Sequence, residues 1–128
     1  MKLLLDTCTF LWLITASEKL SKKAKRLFLN PKNEAFLSIV SMWEIVLKYQ
    51  LKRLPLPETP DTFIPQQCHL HTIESLPLTQ QDIFQLIKLP DIHDDPFDRI
   101  LVCQGMVNEM TILTPDTEIA DYTVKSAW

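Results

Sequence analysis

The chain predicts an α/β domain, a mostly parallel sheet of four to five strands with helices packed against it. Three observations carry this. Short apolar runs at Lys2–Leu5, Glu34–Ser38 and Met110–Leu113 alternate with longer stretches of helical spacing. The 128 residues suit a single domain, 1–128, with a real core and no linker, repeat or low-complexity stretch. At 46% hydrophobic and 23% charged, the composition is that of an ordinary globular protein.

Composition also excludes function classes. A net charge of −3 announces no overall basic surface for nucleic acid, although it leaves room for local patches. Cys8, Cys68 and Cys103 are widely spaced without a Cys-x-x-Cys, which argues against a zinc site or a disulfide framework. The single glycine, Gly105, rules out the glycine-rich loops that cradle nucleotide phosphates and instead suggests close packing of a helix on its neighbour. Met1–Leu5 meets Asp6 too soon for a signal peptide, and no run is long enough to span a membrane, so the cytoplasm is expected.

In order, Lys2–Leu5 is a buried strand that Asp6 ends, and Thr7–Leu13 begins a helix at once. Ser17 caps a helix from Glu18 to Leu29, with Leu20, Ala24, Leu27 and Phe28 inward and Lys22, Lys23, Lys25 and Arg26 outward. That basic stripe reads as a solvated face before it reads as a polyanion contact. A turn at Asn30–Asn33 leads to the strand Glu34–Ser38, and Ser38 or Ser41 starts a helix running to about Lys52. Ser41 and Glu44 have capping-box spacing. Leu54–Pro60 is an extended, proline-rich excursion, and Asp61–Leu70 a short helix broken by Pro65. A strand at His71–Glu74 precedes a helix Gln80–Leu89, capped by Thr79, with Ile83, Leu86 and Ile87 inward. Asp95 then caps a helix opened by Pro96, apolar nearly all round from Ile100 to Val107 and therefore buried. Met110–Leu113 is a strand, a short helix lies near Glu118, and Tyr122–Val124 forms an edge strand.

Ligands of open parallel sheets bind beyond the carboxyl ends of the strands. Asp6 follows the first strand, Asp116 follows Met110–Leu113, Glu44 lies a turn past the second strand, and Asp98 opens the buried helix. Each has an ordinary explanation as a helix-start acid, worth about 0.5–1 kcal/mol. Together they suggest one pocket. Carboxylates about 4–5 Å apart repel by a few kcal/mol at an effective dielectric of about 20, so such a cluster holds either protons or a cation. Oxygen donors favour Mg2+, with Mn2+ able to substitute, and an ion held by few ligands keeps positions open for a phosphate oxygen. That chemistry points to phosphodiester hydrolysis.

The same residues carry a family resemblance. Leu5-Asp6-Thr7 with Leu11-Trp12, Ser41-Met42-Trp43-Glu44-Ile45 with Lys48, His93-Asp94-Asp95-Pro96-Phe97-Asp98-Arg99, and Leu113-Thr114-Pro115-Asp116 together resemble the PIN-domain ribonucleases. Within them the chain is most similar to the VapC toxins of bacterial toxin–antitoxin pairs, nearly end to end. The resemblance implies a three-layer α/β/α nuclease domain and a Mg2+-dependent endoribonuclease acting on tRNA or ribosomal RNA. Its pocket would comprise Asp6, Glu44, Asp98 and Asp116. Asp6 and Asp98 would be the principal metal ligands, Asp116 would hold a second metal or a metal-bound water, and Glu44 would complete the pocket or orient water. It also implies a homodimer and a cognate antitoxin whose tail covers the pocket. Asp94 departs from a commonly basic position, and Cys8-Thr9 from a more usual His and aliphatic pair; the four acids are intact.

Lys48, Lys52 and Arg53, and with them Arg99, are candidate contacts for the RNA backbone, although Arg99 suits a salt bridge equally well. Thr7 and Thr114 fit either turns or bonds to pocket carboxylates. His93 reads as a solvated loop histidine outside the mechanism, and Trp12, Trp43 and Trp128 as core or dimer interface. Two other readings stand beside the nuclease. One is a receiver-like module that takes a phosphoryl group on an aspartate, which the lack of a lysine after the Met110–Leu113 strand disfavours. The other is a toxin relic that binds its antitoxin without cutting, which the intact acids disfavour.

Overall fold

A computed structural model describes all residues, 1–128. Strands β1 (Lys2–Leu5), β2 (Glu34–Ser38), β3 (Ile73–Leu76), β4 (Thr111–Leu113) and β5 (Ser126–Ala127) form an all-parallel sheet in the order β3-β2-β1-β4-β5. The helices are α1 (Thr7–Ile14), α2 (Lys22–Leu29), α3 (Ile39–Gln50), α4 (Pro60–Leu70), α5 (Gln80–Phe84), α6 (Pro96–Val107) and α7 (Thr117–Ala120), with a 3-10 turn at Gln85–Lys88.

The alternation of side chains along each strand makes the two cores. Leu4, Phe36 and Ile112 face one side, where they meet Leu101, Val102 and Cys103 of α6 and Ile119 of α7. Leu5, Leu37 and Leu113 face the other, against Phe10, Ala24, Ile45, Phe63 and Ile64 of α1 to α4. The result is a three-layer α/β/α domain. None of its helices is long and apolar enough to cross a membrane. The register pairs Leu5 with both Leu37 and Leu113, so β1, β2 and β4 end at one level. From β1 the chain moves outward to β2 and β3, then returns to place β4 on the other flank of β1. That reversal opens a crevice between the ends of β1 and β4.

Several boundaries differ from the sequence expectation. Helix α2 begins at Lys22 with Ser21 as cap, while Ser17 closes only a turn through the Lys19 N–H. Of the two starts the sequence offered for α3, Ser38 is the cap; Ser41 is buried inside the helix, and Glu44 turns away from the predicted box. Pro65 does not break α4. The helix opens on Pro60 and runs through Pro65, whose face is exposed while Phe63, Ile64 and Cys68 anchor the other side. Left-handed Thr72 (φ 54°) separates α4 from β3, moving the strand two residues past the expected His71–Glu74.

Thr79 does cap α5, in a reciprocal box with Asp82, but the segment tightens to a 3-10 turn after Phe84. Asp82 takes the buried position of α5 and leaves Ile83 exposed, and after the tighter winding Ile87 is 85% exposed while Leu89 is buried. Tyr122 and Val124 are buried packing residues rather than strand, and the last pairing is Ser126–Ala127.

Candidate active site

Three of the helices flanking the crevice start on an acid. Asp6, at the end of β1, caps α1 by accepting from the Thr9 N–H (2.8 Å). Asp116, just past β4, caps α7 through the Glu118 N–H (2.9 Å). Asp95 caps α6 through the N–H groups of Phe97 and Asp98, placing Asp98 in the first turn. Each carboxylate thus sits at the positive end of a helix, which stabilises it there.

The tightest group is not all four predicted acids. One ligating atom from each of His93, Asp98 and Asp116 lies within 4.8 Å of the others. His93 Nε2 is 3.0 Å from Asp98 Oδ2 and 3.0 Å from Asp116 Oδ2. Asp6 joins this group through Thr114, whose hydroxyl donates to Asp6 Oδ2 (2.5 Å) and accepts from the Asp116 N–H (3.0 Å). Glu44 is buried at one side, with Oε1 accepting from the Thr7 hydroxyl (2.5 Å) and Oε2 paired with Lys48 Nζ (2.8 Å).

Charge in the pocket is poorly balanced. Burial, then the neighbouring Asp95, push the Asp98 carboxyl up to about 7; His93 pulls it back, while Glu44 and Asp116 add to the rise. Burial works against the charged form of His93, but hydrogen bonding to Asp116 and the charges of Asp98, Asp116 and Glu118 outweigh it and raise the group. Cys8, whose thiol donates to Asp6 Oδ1 (3.3 Å), is pushed up to about 12 by burial and then by Asp6, with Asp98 adding to the rise. A donor set of carboxylates that is short of positive charge fits a divalent cation, which would favour the ionised form of every acid at once.

The predicted cations fare differently. Lys48 is engaged by Glu44, which raises it. Arg99 reaches the carbonyls of Pro90 (3.1 Å) and His93 (3.4 Å) and the Tyr122 hydroxyl (3.3 Å), with Asp91 more distant at 3.8 Å. Lys52 and Arg53 are exposed beyond the end of α3, about two turns from Glu44. Trp43 is 61% exposed and meets Phe97 edge to face (ring centroids 5.0 Å), while Trp12 and Trp128 pair at 5.8 Å.

His93 is the residue that sequence reasoning set aside. The structure corrects its solvated reading, since its side chain is only 13% exposed and sits among acids on every side. A signal was available in the spacing: His93 stands two residues before the cap Asp95, where its Nδ1 meets the Asp95 N–H (3.1 Å).

A family model described as the PIN domain matches residues 3–125. No curated protein matches the chain in sequence. Among solved structures, the VapBC2 complex of Rickettsia felis bound to a promoter DNA fragment is 13% identical with a TM-score of 0.73, covering 99% of this chain and 98% of that one. DNA-bound VapBC from Salmonella typhimurium is 17% identical with a TM-score of 0.71, covering 99% and 97%. A toxin–antitoxin complex from Klebsiella pneumoniae is 14% identical with a TM-score of 0.62, covering 98% and 95%. At these identities the likeness is one of fold.

Proposed function

The chain belongs to the PIN-domain family, and on that premise we propose that it is a divalent-metal-dependent endoribonuclease, the toxin of a toxin–antitoxin pair, working in the cytoplasm. The observation that carries this reading is the gathering of Asp98 and Asp116, tied through Thr114 to Asp6, at the crevice between β1 and β4. Asp6, Asp98 and Asp116 would hold Mg2+, with Mn2+ able to replace it. A bound ion would supply Lewis acidity there, for the scissile phosphate and for the attacking water.

The chain's own residues do the rest. Thr114 fixes Asp6 and Asp116 relative to each other. Thr7 and Lys48 hold the Glu44 carboxylate from both oxygens, at the pocket wall where it can orient the attacking water. Lys52 and Arg53 are the exposed cations that would follow an RNA backbone, tRNA or ribosomal RNA, whereas Lys48 and Arg99 act mainly by positioning. Ile39, Trp43 and Leu47 line successive turns of α3 and stay exposed, which supports contact with a protein partner. We assign the partners as a second copy of the chain and a cognate antitoxin; sedimentation equilibrium giving twice the 14.9 kDa chain mass would support the first.

The purified chain should cut RNA with Mg2+ or Mn2+ and stop on adding EDTA. Asp6→Asn and Asp98→Asn should each slow cutting by about a hundredfold or more while circular dichroism stays native. Cutting that survives both substitutions would end the reading. Mapping the 5′ ends of cellular RNA after brief expression would then identify the target.

A further inference from the structure

We propose that His93 is a nitrogen ligand to the ion of this pocket, so that the site binds an imidazole-seeking ion such as Mn2+ more tightly than Mg2+. This deepens the nuclease reading and shares with it only the need for an ion at Asp98 and Asp116.

The distances support one shared ion. Bonds of about 2.1 Å at right angles put adjacent donors about 3 Å apart. His93 Nε2 lies 3.0 Å from each of the two carboxylate oxygens, and the three donor atoms all fall within 4.8 Å. The ring is also held in place from behind. Its backbone N–H donates to the Tyr122 hydroxyl (2.8 Å), and Arg99 Nη1 braces the loop through the carbonyls of Pro90 and His93. Glu118 Oε2 lies 3.2 Å from Nδ1, the carboxylate partner that orients a metal-bound imidazole through its other nitrogen.

With Nε2 given to the ion, the ring proton sits on Nδ1 and is donated to Glu118, and the Asp95 N–H gives up its present bond to Nδ1. Carboxylates alone suit Mg2+ and Mn2+ alike, but an imidazole nitrogen favours the transition ion. His93 would therefore set metal preference in a pocket otherwise built of oxygen donors. A charged imidazole that merely spans the two acids would leave Nε2 as a donor and would not bond an ion; the test separates the two.

Electron spin-echo measurements on Mn2+ bound to the wild-type protein should show coupling to an imidazole nitrogen. The pattern should change on labelling histidine with 15N, and it should vanish in His93→Gln. In that variant Mn2+ affinity, read by titration, should fall about tenfold or more, and Mg2+ affinity much less. Bound Mn2+ without imidazole coupling in the wild type, or Mn2+ affinity unchanged in His93→Gln, would overturn the proposal. Should the variant not fold, the same spectrum from a His69→Gln/His71→Gln double variant, in which His93 is the one histidine left, decides instead. RNA cutting is scored separately. Cutting without nitrogen coupling rejects the ligand and keeps the nuclease, and nitrogen coupling in a chain that cuts no RNA does the reverse.

Discussion

Asp98 is ionised at a cost, because burial and Asp95 hold its carboxyl up to about 7. A site that binds a cation is strained without one, and relieving the strain should trade function for stability. In EDTA near pH 8, Asp98→Asn should therefore melt a few degrees higher than the wild type, on the order of 1 kcal/mol, while losing activity. Differential scanning calorimetry checks this, and an unchanged or lower melting temperature would show the pocket unstrained. Cys8 gives a second test. With its thiol pushed up to about 12, it should react with iodoacetamide near pH 8 far more slowly than free cysteine, as mass spectrometry of the labelled peptide would show. Asp6, Asp98 and Asp116 were legible in the sequence because each follows a strand or opens a helix, and Glu44 because it lies about a turn past β2. His93 was not, because nothing in a linear pattern shows that a loop histidine folds back between residues 98 and 116.

At the scale of elements, α6 does most to build the site, since Asp95 and Pro96 start it and its first turn presents Asp98. Its burial depends on Gly105. A Cβ there would lie 2.9 Å from Val124 Cγ2 and 3.1 Å from Ile112 Cγ1, both on branched core side chains. Gly105→Ala gains up to about 1 kcal/mol of helix propensity but overpacks the core by about 1–3 kcal/mol, so the net should be a loss. Urea unfolding with a lower midpoint and an unchanged slope is the expected result. This close approach was legible from a lone glycine in an apolar helix. The apolar reading of the same helix missed Gln104, fully buried and bonded to the Ser38 hydroxyl (2.5 Å) and the Pro77 carbonyl (3.2 Å). Boundaries such as those at Ser21, Thr72 and Ser126 were illegible because caps, left-handed residues and tertiary packing set them, not periodicity.

For the whole molecule, the sheet order turns four distant acids into one neighbourhood, and the resulting charge should appear in stability. Asp98 stands above the ordinary carboxylate value of 3.8, so in the interval up to about 7 the folded chain binds the extra proton and stability falls as pH rises. His93 is raised above its ordinary 6.5, so its favourable contribution is complete below that value and is lost as pH climbs through the folded one. Both groups act in the same direction. The metal-free melting temperature should drop between about pH 5 and pH 8. Mn2+ at a hundred times its dissociation constant should then restore about 2.7 kcal/mol near pH 8, and much less near pH 5, where protons compete.

The measurement closest to the central claim is an anomalous difference map at the manganese edge from crystals soaked in Mn2+. The account predicts a peak within about 2.3 Å of carboxylate oxygens of both Asp98 and Asp116, beside Asp6 and Thr114. A soaked crystal with manganese elsewhere and none between those two carboxylates would contradict it.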